Sequence, residues 1–293
     1  MKFLDITKTN GLLVLALASF VMVACNKKDD SQSSLDIGRQ EAVNFTASIG
    51  PFQEYNDNGL LQNSSVNRVF GSDDTFTLWA IADNSRPTGT GTAYGYSKGH
   101  LLAKGSNPIT DDRQSAVYYA VTPSMEATGG VLSFTVSADQ SSEDSFWSND
   151  LCTAMAAATI VDVSLNFSHR LCCVCVNLVG DAIKGTISQI RLTGVQLSTR
   201  LSFDGDDTQT TGATSMVLTS KQGQSYYAIV PDQSFAAGSV LAVITLDGVD
   251  YDVVFGDAVR YEGGMIHYLN AYYHADDAPT FVGLTGDINP WEK

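Results

Sequence analysis

Val163-Ser164-Leu165-Asn166-Phe167-Ser168-His169-Arg170-Leu171-Cys172-Cys173-Val174-Cys175 is the longest alternating stretch of this chain. Val163, Leu165, Phe167, His169, Leu171, Cys173 and Cys175 fall on one face of an extended backbone, and Ser164, Asn166, Ser168 and Arg170 on the other, because successive side chains of a strand point to opposite sides. Its length predicts a strand central to a sheet. Upstream, Val43, Phe45, Ala47 and Ile49 repeat the same period, and Phe76–Ala80, Ala116–Val121 (stopped by Pro123) and Val131–Val136 read as further strands. Pro51–Ser65 and the glycine-dense Gly89–Gly99 read as loops, and Leu151–Ala158 as a helix after the polar run Asp139–Asn149. Downstream the pattern restarts at Ile187–Leu192, Leu197–Phe203, Ser215–Thr219, Tyr226–Val230, Val240–Leu246, Tyr251–Phe255 and Met265–Tyr273. Short strands at this regular spacing predict an all-β sandwich, and their number is too large for one. The expected organisation is two β-sandwich domains, residues 40–179 and 180–293, meeting near Gly180.

The amino terminus carries a different signal. Met1, Lys2 and Lys8 precede an apolar run, Gly11–Ala24, that stops at Cys25. A charged start, a short apolar core and a small residue before the cut make a secretory signal over residues 1–24. The run falls short of the ~20 apolar residues of a membrane-spanning helix. Met22-Val23-Ala24-Cys25 resembles the lipobox cut by lipoprotein signal peptidase, which makes Cys25 the lipidated (palmitate-bearing) first residue of the mature chain; an ordinary cleaved signal with a coincidental cysteine is the alternative. Lys27, Lys28, Asp29 and Asp30 follow directly, and are similar to the signal that sends lipoproteins of Bacteroidota to the outer face of the outer membrane. Residues 25–39 are polar and free of aromatics, the composition of a disordered tether.

Composition narrows the partners. Of 293 residues 44% are hydrophobic, enough to bury a sizeable core. Seventeen Lys and Arg against 32 Asp and Glu give a net charge of −15, which repels a phosphate backbone and excludes nucleic acid as a partner.

Several short patterns suggest chemistry and are outweighed. Gly95-Tyr96-Ser97-Lys98-Gly99 fits G-x-S-x-G, with His100 beside it, but a nucleophile elbow needs a strand before it, a helix after it and an α/β sheet. A hydrolase would require Ser97, His100 and an acid to cluster in space. Cys172, Cys173 and Cys175 with His169 invite zinc, yet strand alternation sends Cys172 to the opposite face from the other two. Core packing is the leading reading of these thiols, with a disulfide involving Cys152 left open. His169 reads as a hydrogen-bonded core histidine. Asp204-Gly205-Asp206-Asp207 lacks the ligand pattern of an EF-hand and reads as a solvated hairpin end. No metal, cofactor or catalytic residue is assigned.

The order of the strands then carries a resemblance. Lipobox, strand Val43–Ile49, Asn67-Arg68-Val69-Phe70-Gly71, Phe76-Thr77-Leu78-Trp79, Tyr118-Tyr119-Ala120-Val121-Thr122-Pro123, Val163-x-Leu165-x-Phe167-x-His169, Tyr227-Ala228-Ile229-Val230-Pro231 and Ile288-Asn289-Pro290-Trp291 together resemble the fimbrillin family of Bacteroidota. The resemblance covers nearly the whole chain. It implies two transthyretin-like β-sandwich domains, assembly with other subunits into surface fimbriae, adhesion to host or bacterial ligands, and no enzymatic activity. It further implies that an arginine-specific protease cuts after an arginine following the first strand, and that a neighbour's C-terminal strand fills the groove left behind. On this sequence the first strand is Val43–Ile49, the cut follows Arg68 with Arg39 as the competing site, and the donor segment is Thr280–Trp291. Only Glu292 and Lys293 follow Trp291, a shorter tail than main-shaft subunits carry, which leaves shaft, tip and anchor roles open. The alternative from another class is a monomeric surface glycan-binding lipoprotein, with Trp79, Trp147 and Tyr96 as stacking platforms.

Overall fold

Seven strands close into a barrel in the spatial order Asn44–Ile49, Asp162–His169, Cys152–Ala157, Ser115–Thr122, Thr75–Ala82, Thr92–Ser97 and His100–Ala103. They belong to a computed structural model that describes residues 41–56, 58–82, 85–111, 115–157, 162–203, 208–209, 213–222, 224–275 and 279–285. Cys25, Lys27, Lys28, Asp29, Asp30, Arg39 and the run Asp204–Asp207 lie outside the described residues. The first strand, Asn44–Ile49, seals the barrel. It runs parallel to Asp162–His169 over six residue pairs, Asn44↔Asp162 to Ile49↔Phe167, and antiparallel to His100–Ala103 at Phe45↔Leu101.

The alternation of the sequence decides which side chains fill this barrel. Phe45, Ala47, Leu165 and Phe167 are buried inside, with Val43 just ahead of the first strand, while Asn44, Ser164 and Asn166 remain exposed. Phe45 meets Tyr94 and Tyr118 edge-on, at centroid distances of 5.7 and 5.1 Å; such contacts add to the gain from burying the rings themselves.

Three local expectations are overturned. Gly89–Gly99 holds the strand Thr92–Ser97, hairpin-paired with His100–Ala103 through Lys98 and Gly99 at positive φ, because Tyr94 enters the barrel core and its burial outweighs the glycine content. Leu151–Ala158 holds the strand Cys152–Ala157, and the short helix lies earlier, at Glu143–Trp147, where Ser142 and Ser145 form a reciprocal N-terminal cap. Alanine-rich residues favour a helix in isolation, but here the segment sits between two barrel strands and tertiary pairing prevails. Pro51–Ser65 contains a small hairpin, Gln53–Tyr55 with Leu61–Asn63.

The stretch Val163–Cys175 is also not one strand but two. Asp162–His169 stays in the barrel; the chain turns at Arg170–Leu171, and Cys172–Gly180 enters a nine-stranded sheet between Ser225–Val230 and Ile266–His274. Alternation persists across the break because His169 and Leu171 are both buried. Cys172–Gly180 is buried on both faces, as befits an interior strand. The outer members of the nine-stranded sheet, Ala213–Val217 and Thr219–Gln222, are consecutive in the chain, and Leu218 N–H between them donates to Ile190 O (3.1 Å), so the sheet rolls until its two margins meet. The last described strand, Thr280–Thr285, fills an interior place, antiparallel to Ile266–His274 over six pairs and touching Val249–Phe255 at Gly283. A Cβ at Gly283 would lie 2.6 Å from Val254 O, so only glycine permits that approach. The body is therefore all-β, of barrel-like and sandwich-like parts, as the sequence predicts. Among the described residues no helix is long and apolar enough to cross a membrane.

Candidate functional site

The chain leaves the first strand at Gly50 and runs directly into a buried polar cluster. His169, at the end of its barrel strand, donates from Nε2 to Gly50 O (2.9 Å), and its Nδ1 lies 2.8 Å from Asp150 Oδ1. Phe52 stacks on the imidazole at 3.7 Å and 13°. Asp150, fully buried, also receives Arg68: Nη1 donates to its main-chain oxygen at 2.9 Å and to Oδ2 at 3.3 Å. Nη2 of Arg68 bonds Asp74, whose other oxygen accepts the Gly71 N–H at 2.7 Å. Burial alone would lower the Arg68 pKa, but the Asp150 charge first, followed by Cys152 and Asp74, raises it above its ordinary value. The guanidinium is a permanent buried cation held by two carboxylates.

Arg68 is thus the predicted cleavage residue in an unpredicted environment. Its side chain is 7% exposed, whereas the next residue, Val69, is 81% exposed. The site is neither an open protease loop nor a plain solvent-exposed arginine. A protease that reads arginine must first draw the guanidinium out of its bonds to Asp150 and Asp74.

The cysteines are settled by burial. Cys152, Cys172, Cys173 and Cys175 are all buried free thiols, so the disulfide alternative through Cys152 is not realised. Burial, with Asp150 next, pushes the Cys152 thiol well up, and burial raises Cys175 to about 12. Asp150, Cys152 and His169 bring ligand atoms within 4.8 Å of one another. Arg68 already neutralises Asp150 and the thiol stays protonated, so this group is a hydrogen-bonded core cluster rather than a cation cage.

The remaining candidates separate. Ser97 and His100 flank a two-residue hairpin turn, where a nucleophile elbow would require a strand-to-helix turn. Trp79 is buried against Phe203 and Tyr96 lies half-buried against Phe70 and Phe76. Trp147 borders a surface groove of about 550 Å³, shared with Val69, Asp73, Asp74 and Asp144. Asp150, Asp74 and Gly50 carried no sequence signal. Arg68 and Asp150 are 82 residues apart, and His169 and Gly50 are 119 apart, so no local pattern could pair them.

The comparisons with known proteins fit this architecture. The fimbrillin-like family profile matches residues 64–291. This chain belongs to the fimbrillin-like family. A cell-adhesion candidate from Bacteroides ovatus shares the fold at a TM-score of 0.64 and 18% identity, over 87% of this chain and 99% of that one. A second, from Bacteroides uniformis, aligns at 0.59 and 16% identity, over 84% and 98% of the two chains. At such identities the likeness establishes the fimbrillin-like fold and nothing finer. No curated protein sequence matches the chain.

Proposed function

We propose that this fimbrillin-like chain is a fimbrial subunit acting in adhesion at the cell surface. It is anchored at the outer membrane through lipidated Cys25, directed outward by Lys27, Lys28, Asp29 and Asp30, and joined to its neighbours by donor-strand exchange. The observation that carries this reading is the first strand itself. It is a single segment near the start of the body whose departure would open a closed barrel along its length. Departure exposes the interior against which Phe45 packs, worth on the order of 1.5–3 kcal/mol for each large side chain. It also frees the Ile109 and Gly99 carbonyls, which now accept from Val43 N–H and Ala47 N–H at 2.9 Å each. An incoming strand restores both kinds of contact together, and a head-to-tail contact of this type propagates into a fibre.

Between Ile49 and Thr75 the chain has one arginine, Arg68, so a cut there is what separates the first strand from the rest. A cut at Arg39 would leave the strand attached. Digestion of the purified body with an arginine-specific protease should yield a form beginning at Val69 that builds denaturant-resistant multimers, while Arg68→Ala stays monomeric. A trimmed form that remains monomeric at high concentration overturns the proposal. The Trp147 groove favours the second reading, a monomeric glycan-binding lipoprotein, which would bind oligosaccharide untrimmed and lose binding in Trp147→Ala.

A further inference from the structure

Arg68 and Val69 share one peptide bond and have opposite surroundings. The Arg68 guanidinium is sealed between Asp150, fully buried, and Asp74, whose side chain is 17% exposed, and its Cζ lies 5.6 Å from the centre of the Phe70 ring. Val69 is exposed and borders the groove that also holds Asp73, Asp74, Asp144 and Trp147. Hydrolysis of the bond between them adds one water. The Arg68 carbonyl carbon takes its oxygen and becomes a carboxylate; the Val69 nitrogen takes both its protons and becomes an α-ammonium. Arg68 then leaves with the first strand, and Asp74 and Asp150 lose their cation. A charge left buried without its partner is strongly destabilising. The cut that removes one cation creates another in the adjoining residue.

We propose that the new α-ammonium of Val69 turns into the place vacated by the guanidinium and pairs with Asp74 and Asp150, which makes the cut one-way. The inference rests on the trimming at Arg68 put forward above. What remains of the chain is held close by at Phe70, 6% exposed, whose ring meets Phe76, Tyr96 and Phe167 edge-on at centroid distances of 5.1, 5.7 and 5.4 Å. None of these three belongs to the segment that departs. Gly71 N–H already sits on Asp74 Oδ2 at 2.7 Å, and two residues span at most about 7 Å, so the amine starts within a short swing of that carboxylate. Asp150 lies next to it, since one guanidinium bridges the two. Val69 is exposed, so the turn breaks no packed contact of its side chain. The other ionisable groups around the place are Asp73 and Asp144 in the groove and Cys152 and His169 beside Asp150; the carboxylates among them favour a cation further. The exchange also conserves charge, one cation against Asp74 and Asp150 before the cut and one after it. Once the ammonium holds this pair, Arg68 cannot return to it, and the released segment has lost its anchor.

The test reads the basicity of the new amine. The purified chain is cut with an arginine-specific protease, freed of the released segment by gel filtration and given a brief pulse of acetic anhydride, and acetylation at Val69 is followed by mass spectrometry. The free peptide Val-Phe-Gly-Ser-Asp-Asp-Thr, the sequence of residues 69–75, is the reference. Two carboxylates on the ammonium should hold its proton well above the ordinary α-amino range of about 7.7–8.0, so labelling should be about tenfold slower than in the peptide at pH 7 and within about twofold of it at pH 10. Asp74→Asn, whose amide oxygen can still accept the Gly71 N–H, should recover most of the rate at pH 7, and Asp73→Asn should not. Labelling as fast as the peptide at pH 7, slow at both pH values as mere shielding would give, or unmoved by Asp74→Asn overturns the inference and leaves trimming standing. A chain that is not cut at Arg68, or that keeps the segment after the cut, overturns both.

Discussion

Replacing Asp150 with alanine removes the acceptor on which Arg68 and His169 converge. The main-chain oxygen at 2.9 Å survives the change, but the carboxylate at 3.3 Å from Nη1 and 2.8 Å from Nδ1 does not. Breaking a buried ion pair by deleting one partner costs about 3–5 kcal/mol, since the other charge stays buried. The stranded Nδ1 of His169 adds about 1–3 kcal/mol, less than additively because both share one partner. Partial compensation comes from Asp74, which still holds Nη2. The net expectation is a loss of about 4 kcal/mol, a large share of the ~5–15 kcal/mol that a domain commands. Urea unfolding followed by tryptophan fluorescence reads the loss, and amino-terminal sequencing after brief arginine-specific digestion reads the second consequence, faster appearance of a chain beginning at Val69. A loss below about 1 kcal/mol, the range of exposed pairs, with Arg68 as resistant as in the wild type, would refute the claim that Asp150 holds the arginine in place.

Phe45→Ala should destabilise the barrel by about 3–5 kcal/mol, read by urea unfolding; a cost near that of a surface site would show that Phe45 is not a core residue. The thiols give a pH prediction. Burial raises Cys152 and Cys172 well above the ordinary value of 9.0 and Cys175 to about 12. The unfolded chain therefore ionises first, and the contribution of each thiol is whole below pH 9 and declines by about 1.36 kcal/mol per pH unit above it until the folded value is reached. Cys175→Ala should flatten the alkaline slope of the unfolding free energy, read from urea titrations at each pH, by about that amount per unit, and an unchanged slope contradicts it. Cys25→Ala should abolish metabolic fatty-acid labelling and release the protein from the membrane fraction; persistent labelling excludes Cys25 as the anchor.

Much of the barrel was legible because its strands are half-buried and alternate. Val43, Phe45, Ala47 and Ile49 announced the first strand within one residue of its observed start, and His169 was readable as a core histidine. The same rule misled at Val163–Cys175, where period two continues through a turn and hides a change of sheet. Leu151–Ala158 was misread because its alanines prefer a helix and nothing local shows that two barrel strands flank it. Arg68 shows the deeper limit. Arg68 does lie in a loop, but its burial is invisible in the sequence because its partner Asp150 comes 82 residues later in the chain, after the helix Glu143–Trp147. A long-range ion pair leaves no period in the sequence, only two charged residues with no visible reason to be buried.

The parallel seating of the first strand has a mechanical consequence. A strand that lies alongside its neighbour and is pulled along its own axis resists in shear, so all six residue pairs and the three outward side-chain rungs, Asn44–Asp162, Thr46–Ser164 and Ser48–Asn166, must give way together. Pulled crosswise from one end, the same strand would unzip a rung at a time at far lower force. A fibre whose joints occupy the first strand's slot in the same parallel sense would therefore be strongest along its length and weakest to peeling, and replacing the slot's own polar side chains, Ser164 and Asn166, with alanine should lower its breaking force under tension before it alters its shape.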